Sequence, residues 1–282
     1  MSEMWHGCLA DTEYFEMTAQ SGHRYGVWVT TPPGHADTTD PLPLIYVLDA
    51  NFSVGLTAPL IVTQSDPYLR VAPYIQVSVG FAGEEAADWA RLRNRDLVPP
   101  GEPVTDEMVT VLAAARDAGA MTQEYMDAYL AELADTHADA FLGFLTNELH
   151  PHLQSQHRVS ESGHGLFGYS YGGLFVLYAW LRQAAPFATF GAGSPGVASA
   201  DSQIFKLVEA LPDRSVGSRL HVTLNEAELL GPIAFYRGMA RNVLAVVEQL
   251  HGKDVSNAML RETHLTGLQA SFLSYLKTCH TG

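Results

Sequence analysis

The stretch Gly165-Leu166-Phe167-Gly168-Tyr169-Ser170-Tyr171-Gly172-Gly173-Leu174-Phe175-Val176-Leu177-Tyr178 decides the fold. Its centre reads Gly-x-Ser-x-Gly, a pattern that average glycine and serine usage alone would place in about one chain of this length in ten. Context gives it weight. A short apolar run leads in and a run with helical spacing leads out, which is the strand, sharp turn and helix of a nucleophile elbow. At such a bend the serine takes strained backbone angles and its Oγ projects from the sheet edge. Side chains two before and two after would strike the neighbouring strand and helix, so glycines at 168 and 172 leave that space free. The following helix aims its first amides at an oxyanion forming beside Ser170. The plainer alternative is a helix N-terminus with a capping serine and two packing glycines.

The surrounding pattern fits the elbow. Residues 12–18 and 24–31 read as an antiparallel pair with Ser21-Gly22 at the turn. Leu44-Ile45-Tyr46-Val47-Leu48 is a continuous run of β-formers, as expected of a strand buried on both faces. A helix over 53–65 and a strand over 74–79 follow. Residues 105–135 predict two helices, 106–118 and 122–134, split by Gly119, and a third runs over about 138–153. Strands at 164–169, 187–192, 219–225 and 256–261 then alternate with helices at 171–184, 202–210, 233–251 and 265–278. The alternation predicts one α/β-hydrolase domain over residues 1–282. It has a mostly parallel sheet, helices on both faces and a helical, lid-like insertion at about 100–136.

Composition agrees. The chain has 282 residues, 47% hydrophobic and 17% charged, enough for one large folded domain. No apolar run is long enough to span a bilayer, and Met1-Ser2-Glu3-Met4-Trp5-His6 has no basic patch leading into an apolar run. The net charge of −15 disfavours nucleic acid and anionic membrane surfaces as partners. Cys8 and Cys279 make no disulfide framework. A reduced, cytoplasmic protein is the simpler reading, although the two could meet if the termini are close. The sequence does not separate a monomer from a homo-oligomer.

A serine hydroxyl needs a base to take its proton and a group to hold that base, and in this fold the chain order is Ser, acid, His. His264 fits as the base, because it follows the last strand and precedes the final helix. The plainer role for it is a surface histidine at that helix's start. His280 lies in the tail, and His251 precedes the last strand, at the wrong edge of the sheet. For the acid, Glu226 and Glu228 both follow the strand at 219–225 and both are placed to reach His264. Glu228 is preferred, Glu226 is the alternative acid, and Asp254 comes third because it precedes its strand. A Ser–His dyad also stays open. The second oxyanion donor is expected in the loop Asp49-Ala50-Asn51-Phe52, after the first central parallel strand. The backbone amides of Asn51 and Tyr171 are the expected pair.

Metal binding is the competing use of a histidine-rich sequence. His150-Pro151-His152 has no matching acid or cysteine spacing and reads as a polar helix end. There is no phosphate loop and no dinucleotide fingerprint, so no metal or organic cofactor is expected.

The chain resembles the esterase D-like α/β-hydrolases, the group that contains siderophore trilactone esterases and is related to feruloyl esterases and mycolyltransferases. Ser21-Gly22-His23-Arg24-Tyr25-Gly26-Val27-Trp28-Val29, with Pro32 and Pro33, is similar to the family's opening strand pair. Leu44 to Asn51 is similar to its strand and oxyanion loop, with Ala50 where Gly is usual. Arg93-Asn94-Arg95-Asp96-Leu97-Val98-Pro99 matches its Arg-Asp-x-x-Pro stretch, and residues 167–175 are the most specific match. Ala192-Gly193-Ser194-Pro195-Gly196 resembles the family's Ser-Pro-Ser, with Gly196 replacing the second Ser. Glu228-Leu229-Leu230-Gly231 resembles the acid-bearing segment of the mycolyltransferases. Some of the family's siderophore esterases lack the acid.

The resemblance and the residues together imply a serine carboxylic ester hydrolase working through an acyl-enzyme on a small or medium ester. The alternatives are a siderophore-type trilactone esterase, an acyltransferase using the same nucleophile, and a non-catalytic binding module. Residues 102–139 carry nine Asp/Glu against Arg116 alone. If they cover the site they disfavour polyanionic substrates. Arg91, Arg93 and Arg95 just upstream offset that charge. The plainer reading is an outer helical pair facing solvent.

Overall fold

In the computed structural model, residue 9, residues 11–211 and residues 217–281 are described. Cys8 and the stretch Met1 to His6 lie outside them. Strand β1 (Thr12–Thr18) pairs antiparallel with β2 (Arg24–Thr30), in register Thr12↔Thr30 to Thr18↔Arg24. The remaining strands are β3 (Leu44–Val47), β4 (Ile75–Phe81), β5 (His164–Tyr169), β6 (Phe187–Gly193), β7 (Arg219–Asn225) and β8 (Val255–Leu260). They make an eight-stranded sheet in the order β1-β2-β4-β3-β5-β6-β7-β8. Every pairing among β3 to β8 is parallel, and β2, antiparallel to both β1 and β4, is the one strand of the sheet that runs the other way.

The helices are α1 (Ala50–Thr57), α2 (Trp89–Leu97), α3 (Asp106–Asp117), α4 (Gln123–Ala134), α5 (Ala138–Gly143), α6 (His150–Gln156), α7 (Tyr171–Leu181), α8 (Gln203–Glu209), α9 (Glu226–Leu230), α10 (Ala234–Gln249) and α11 (Gly267–Cys279). Strand alternation sorts side chains to two cores. Leu44, Tyr46 and Leu166 pack on one face with the apolar helix α7, whereas Ile45, Val47 and Phe167 pack on the other with Phe272 and Tyr275 of α11. All residues of β3 and β5 are buried, as their unbroken apolar runs require.

Two expected elements come out differently, and one helix was not expected. The helix expected over 53–65 begins earlier as α1 and changes to a 3-10 helix over Ala58–Ser65. Pro59 lacks the N–H that would continue α1, which ends the α-helical ladder there. The helix expected over 138–153 is α5, a π-helical segment Phe144–Leu149 and α6. Pro151 sits inside this run, and the widened turn absorbs its missing donor. Helix α2 had no counterpart in the periodicity, because its buried face is polar: Asn94, Arg95 and Asp96 are buried beside Leu92 and Leu97.

The chain leaves β3 to build β4 on one side, then returns to build β5 on the other. A crevice therefore opens at the carboxyl ends of β3 and β5, the switch point where this architecture collects functional groups.

Candidate active site

Ser170 links β5 to α7 with φ 60° and ψ −117°, a strained pair of angles for a residue with a side chain. Three backbone bonds hold it. Its N–H donates to Gly193 O (2.9 Å), and its carbonyl accepts from Leu174 N (2.9 Å) and Gly196 N (3.0 Å). The two motif glycines are steric necessities. A Cβ on residue 168 would lie 2.3 Å from Gly172 O, and one on residue 172 would lie 3.0 Å from Asp49 Oδ2. The obstacle to a side chain at 172 is thus first the Asp49 carboxylate, rather than only the neighbouring strand and helix expected from the motif.

Ser170 Oγ lies 3.1 Å from His264 Nε2, and His264 Nδ1 lies 2.6 Å from Glu228 Oε1. His264 occupies the loop between β8 and α11, 94 residues from Ser170 in sequence. Glu228 is the third residue of α9, whose N-terminus caps itself: Asn225 N donates to Glu228 Oε2 (3.0 Å) and Asn225 Nδ2 to Oε1 (2.9 Å). Ser194 Oγ also donates to Glu228 in a very short bond. Burial alone would raise the Glu228 carboxyl, but hydrogen bonds from His264, Ser194 and Asn225 outweigh it and hold the group below the usual carboxylate range. The acid therefore stays ionised where it faces the imidazole.

The other expected acids are elsewhere. Glu226 is exposed and lines an outer cavity of about 450 Å³ with Leu230, Arg261 and Thr266. Asp254 pairs with Arg219 at 3.5 Å. His251 is exposed, His280 is buried against Tyr74, and His150 bonds to the Tyr46 hydroxyl (3.0 Å) with His164 packed beside it. Of the sequence candidates, Ser170, His264 and Glu228 are the side chains that converge.

Asn51 and Tyr171 lie in the first turns of α1 and α7, at the carboxyl end of the sheet. Amides there have no partner within their own helix and are free to bind an anion. Asn51 is tied to β4 at two points, Nδ2 to Phe81 O (3.0 Å) and Phe81 N to Oδ1 (2.7 Å).

Four further side chains support the site without having been singled out for it. Tyr169 donates to the His264 carbonyl (2.9 Å) and accepts from Asn225 Nδ2 (2.6 Å). Tyr236 of α10 stacks on the His264 ring at 4.7 Å and 21°. Asn225 and Ser194 hold Glu228. Ser194 carried a signal through the Ser-Pro segment, and Asn225 through its capping-box spacing to Glu228; Tyr169 and Tyr236 did not, because contacts across strand ends leave no periodicity to read.

The insertion touches the site's surroundings. The Tyr171 hydroxyl meets Met108 Sδ of α3 at 3.7 Å. On α4, Glu132 pairs with Arg91 of α2, and the Tyr129 carbonyl accepts from Asn94 (3.4 Å). Helix α3 is thus in contact with α7, and α4 with α2.

The sheet order and the strand–serine–helix bend define an α/β-hydrolase. The chain belongs to the esterase family whose model, described as "Putative esterase", matches residues 18–217. It is 27% identical over 194 residues to the ferri-bacillibactin esterase BesA of Bacillus subtilis, a match covering 67% of this chain and 60% of that protein. It is 28% identical over 198 residues to the siderophore triacetylfusarinine C esterase of Aspergillus fumigatus, covering 67% of this chain and 57% of that one. The matched region thus spans less than two thirds of either relative. Among solved structures, the siderophore hydrolase EstB of Aspergillus nidulans superposes with a TM-score of 0.76 at 21% identity, over 99% of this chain and 98% of that one. The Bacillus cereus BES protein superposes with 0.74 at 18% identity, over 100% and 99%. These superpositions show a shared fold.

Proposed function

We propose that the protein is a serine carboxylic ester hydrolase acting through an acyl-enzyme. The observation that carries this is the chain of contacts from Ser170 Oγ through His264 to the buried Glu228 carboxylate. Ser170 attacks the ester carbonyl while His264 Nε2 takes its proton. His264 then gives that proton to the departing alcohol. Glu228 fixes the tautomer with Nδ1 protonated and stabilises the imidazolium that forms. The Asn51 and Tyr171 amides receive the oxyanion. Water, activated by His264, attacks the acyl-enzyme and releases the acid.

The relatives' names favour a siderophore-type ester as the substrate class, within the broader range of small and medium esters. The contacts of α3 with α7 and of α4 with α2 support a single-domain enzyme whose insertion shapes the substrate pocket. No helix among the described residues is long and apolar enough to cross a membrane. We place the enzyme in the cytoplasm on its sparse cysteine use.

Turnover of p-nitrophenyl acetate and butyrate tests the reading. Wild type is expected to hydrolyse at least one, and Ser170→Ala to lose at least about 10³-fold in kcat with its circular dichroism unchanged. Equal turnover by the variant would remove Ser170 from the mechanism.

A further inference from the structure

The two expected oxyanion amides come from different parts of the chain, one after β3 and one after β5, and something must hold them at a fixed separation. Between them lies Arg93 of α2. Its guanidinium grips Asp49 in a fork, Nε to Oδ1 at 2.8 Å and Nη2 to Oδ2 at 2.6 Å. The same Nη2 donates to the carbonyl of Tyr169, the residue before Ser170, at 3.2 Å. The guanidinium also sits over the Tyr171 ring, 5.4 Å from its centre. Asp49 caps α1 in the left-handed region, at φ 60° and ψ 41°, two residues before Asn51. Its side chain is 5% exposed and that of Arg93 16%.

We propose that Arg93 is a positioning residue for the ester-cleaving reaction: one guanidinium locks the turn bearing the Asn51 amide to the elbow bearing Ser170 and the Tyr171 amide. The inference rests on the proposed esterase activity and goes beyond it, because Arg93 reaches neither the nucleophile nor its base in the structure.

Two physical effects combine in this pair. The first is geometric. An oxyanion needs both donors within hydrogen-bond reach of one point, and a displacement of about 1 Å costs on the order of 10²-fold. Arg93 bonds to both sides of the gap, so its fork and its third bond fix their spacing. The second is electrostatic. Asp49 is a buried carboxylate two residues from an amide that must face developing negative charge. Unpaired, it would oppose the oxyanion. Paired with Arg93, it is neutral as a unit. Asp49 in turn occupies the space that the absence of a side chain at Gly172 leaves open, so the pair, the strained turn and the elbow glycine form one packed unit.

Neighbouring charges do not share this role. Arg91 pairs with Glu132 and Asp88, and Arg95 pairs with Asp96 and Glu85. Neither bonds to Asp49 or to the elbow.

The test is a mutant cycle in Arg93→Met, Arg93→Lys, Asp49→Asn and the double variant R93M/D49N. Steady-state kinetics on p-nitrophenyl butyrate are normalised to sites titrated with a fluorophosphonate probe. Arg93→Met is expected to lower kcat per titrated site about 100-fold, with KM within about threefold of wild type. Removing the orphaned carboxylate as well should restore kcat about tenfold relative to R93M alone. Arg93→Lys keeps the charge but cannot make the fork and the Tyr169 bond together, so its kcat should fall about tenfold.

A purely structural role would lower melting temperature and the number of titratable sites while leaving kcat per site unchanged. That result overturns the proposal, as does a double variant no faster than R93M. If R93M does not fold, Arg93→Lys decides, and an unchanged kcat per site overturns it. Wild type that neither turns over esters nor reacts with the probe would instead sink the esterase reading, and this inference with it.

Discussion

At the scale of single residues, the burden falls on Glu228 and what surrounds it. The carboxylate accepts from an imidazole, a hydroxyl, a backbone amide and a side-chain amide, so it has no spare oxygen for a second task. Glu228→Gln keeps the shape but places an amide among donors, and it no longer supports the imidazolium. Its kcat should fall about 10²–10⁴-fold with little change in KM. Glu226→Gln, on the exposed side of the same short helix, should stay within about twofold of wild type. Parallel kinetics on the two variants check this, and equal losses would mean that the capped geometry of α9 is not the reacting one.

At the scale of elements, the join between β5 and α7 is the critical one. A methyl at 168 meets Gly172 backbone that cannot move without opening the elbow, so Gly168→Ala should cost about 3 kcal/mol or more in denaturant unfolding. Gly238 in α10 has open space around its missing Cβ, and Gly238→Ala should stabilise by about 0.5–1 kcal/mol. Equal behaviour of the two would contradict the steric account. The same contrast explains what could be read without coordinates. The elbow was legible because its glycines, strand and helix are contiguous, and so were the apolar strands β3 and β5 and the loop bearing His264. Helix α2 was not, because its buried face is held by ion pairs and not by apolar spacing. The bonds that Ser194 makes to Glu228 and Tyr169 to His264 and Asn225 were not either, because they join chain segments tens of residues apart. The choice between Glu226 and Glu228 turned on which residue of one short helix faces inward, which chain order alone does not fix.

At the scale of the whole molecule, buried histidines make the fold acid-sensitive. Burial pushes His164 and His221 down to about 4, and the Leu44 amide donating to His164 Nδ1 (3.1 Å) requires that nitrogen unprotonated. The unfolded chain binds these protons near pH 6.5 and the folded one only near 4. The contribution of these two histidines should therefore be constant above about pH 7, fall as pH drops between 6.5 and 4 by up to about 3 kcal/mol per histidine, and level off below, where protonation of Glu228 continues the loss. Urea unfolding at pH 7.5 and 5 measures this, and a stability independent of pH would contradict it. The account as a whole depends on a covalent step at one hydroxyl. Rapid quenching during p-nitrophenyl butyrate turnover, followed by peptide mass analysis, tests that step directly. The predicted result is one butyryl group on the peptide carrying Ser170, absent from Ser170→Ala. Turnover with no adduct there, or with the acyl group on another side chain, would contradict it.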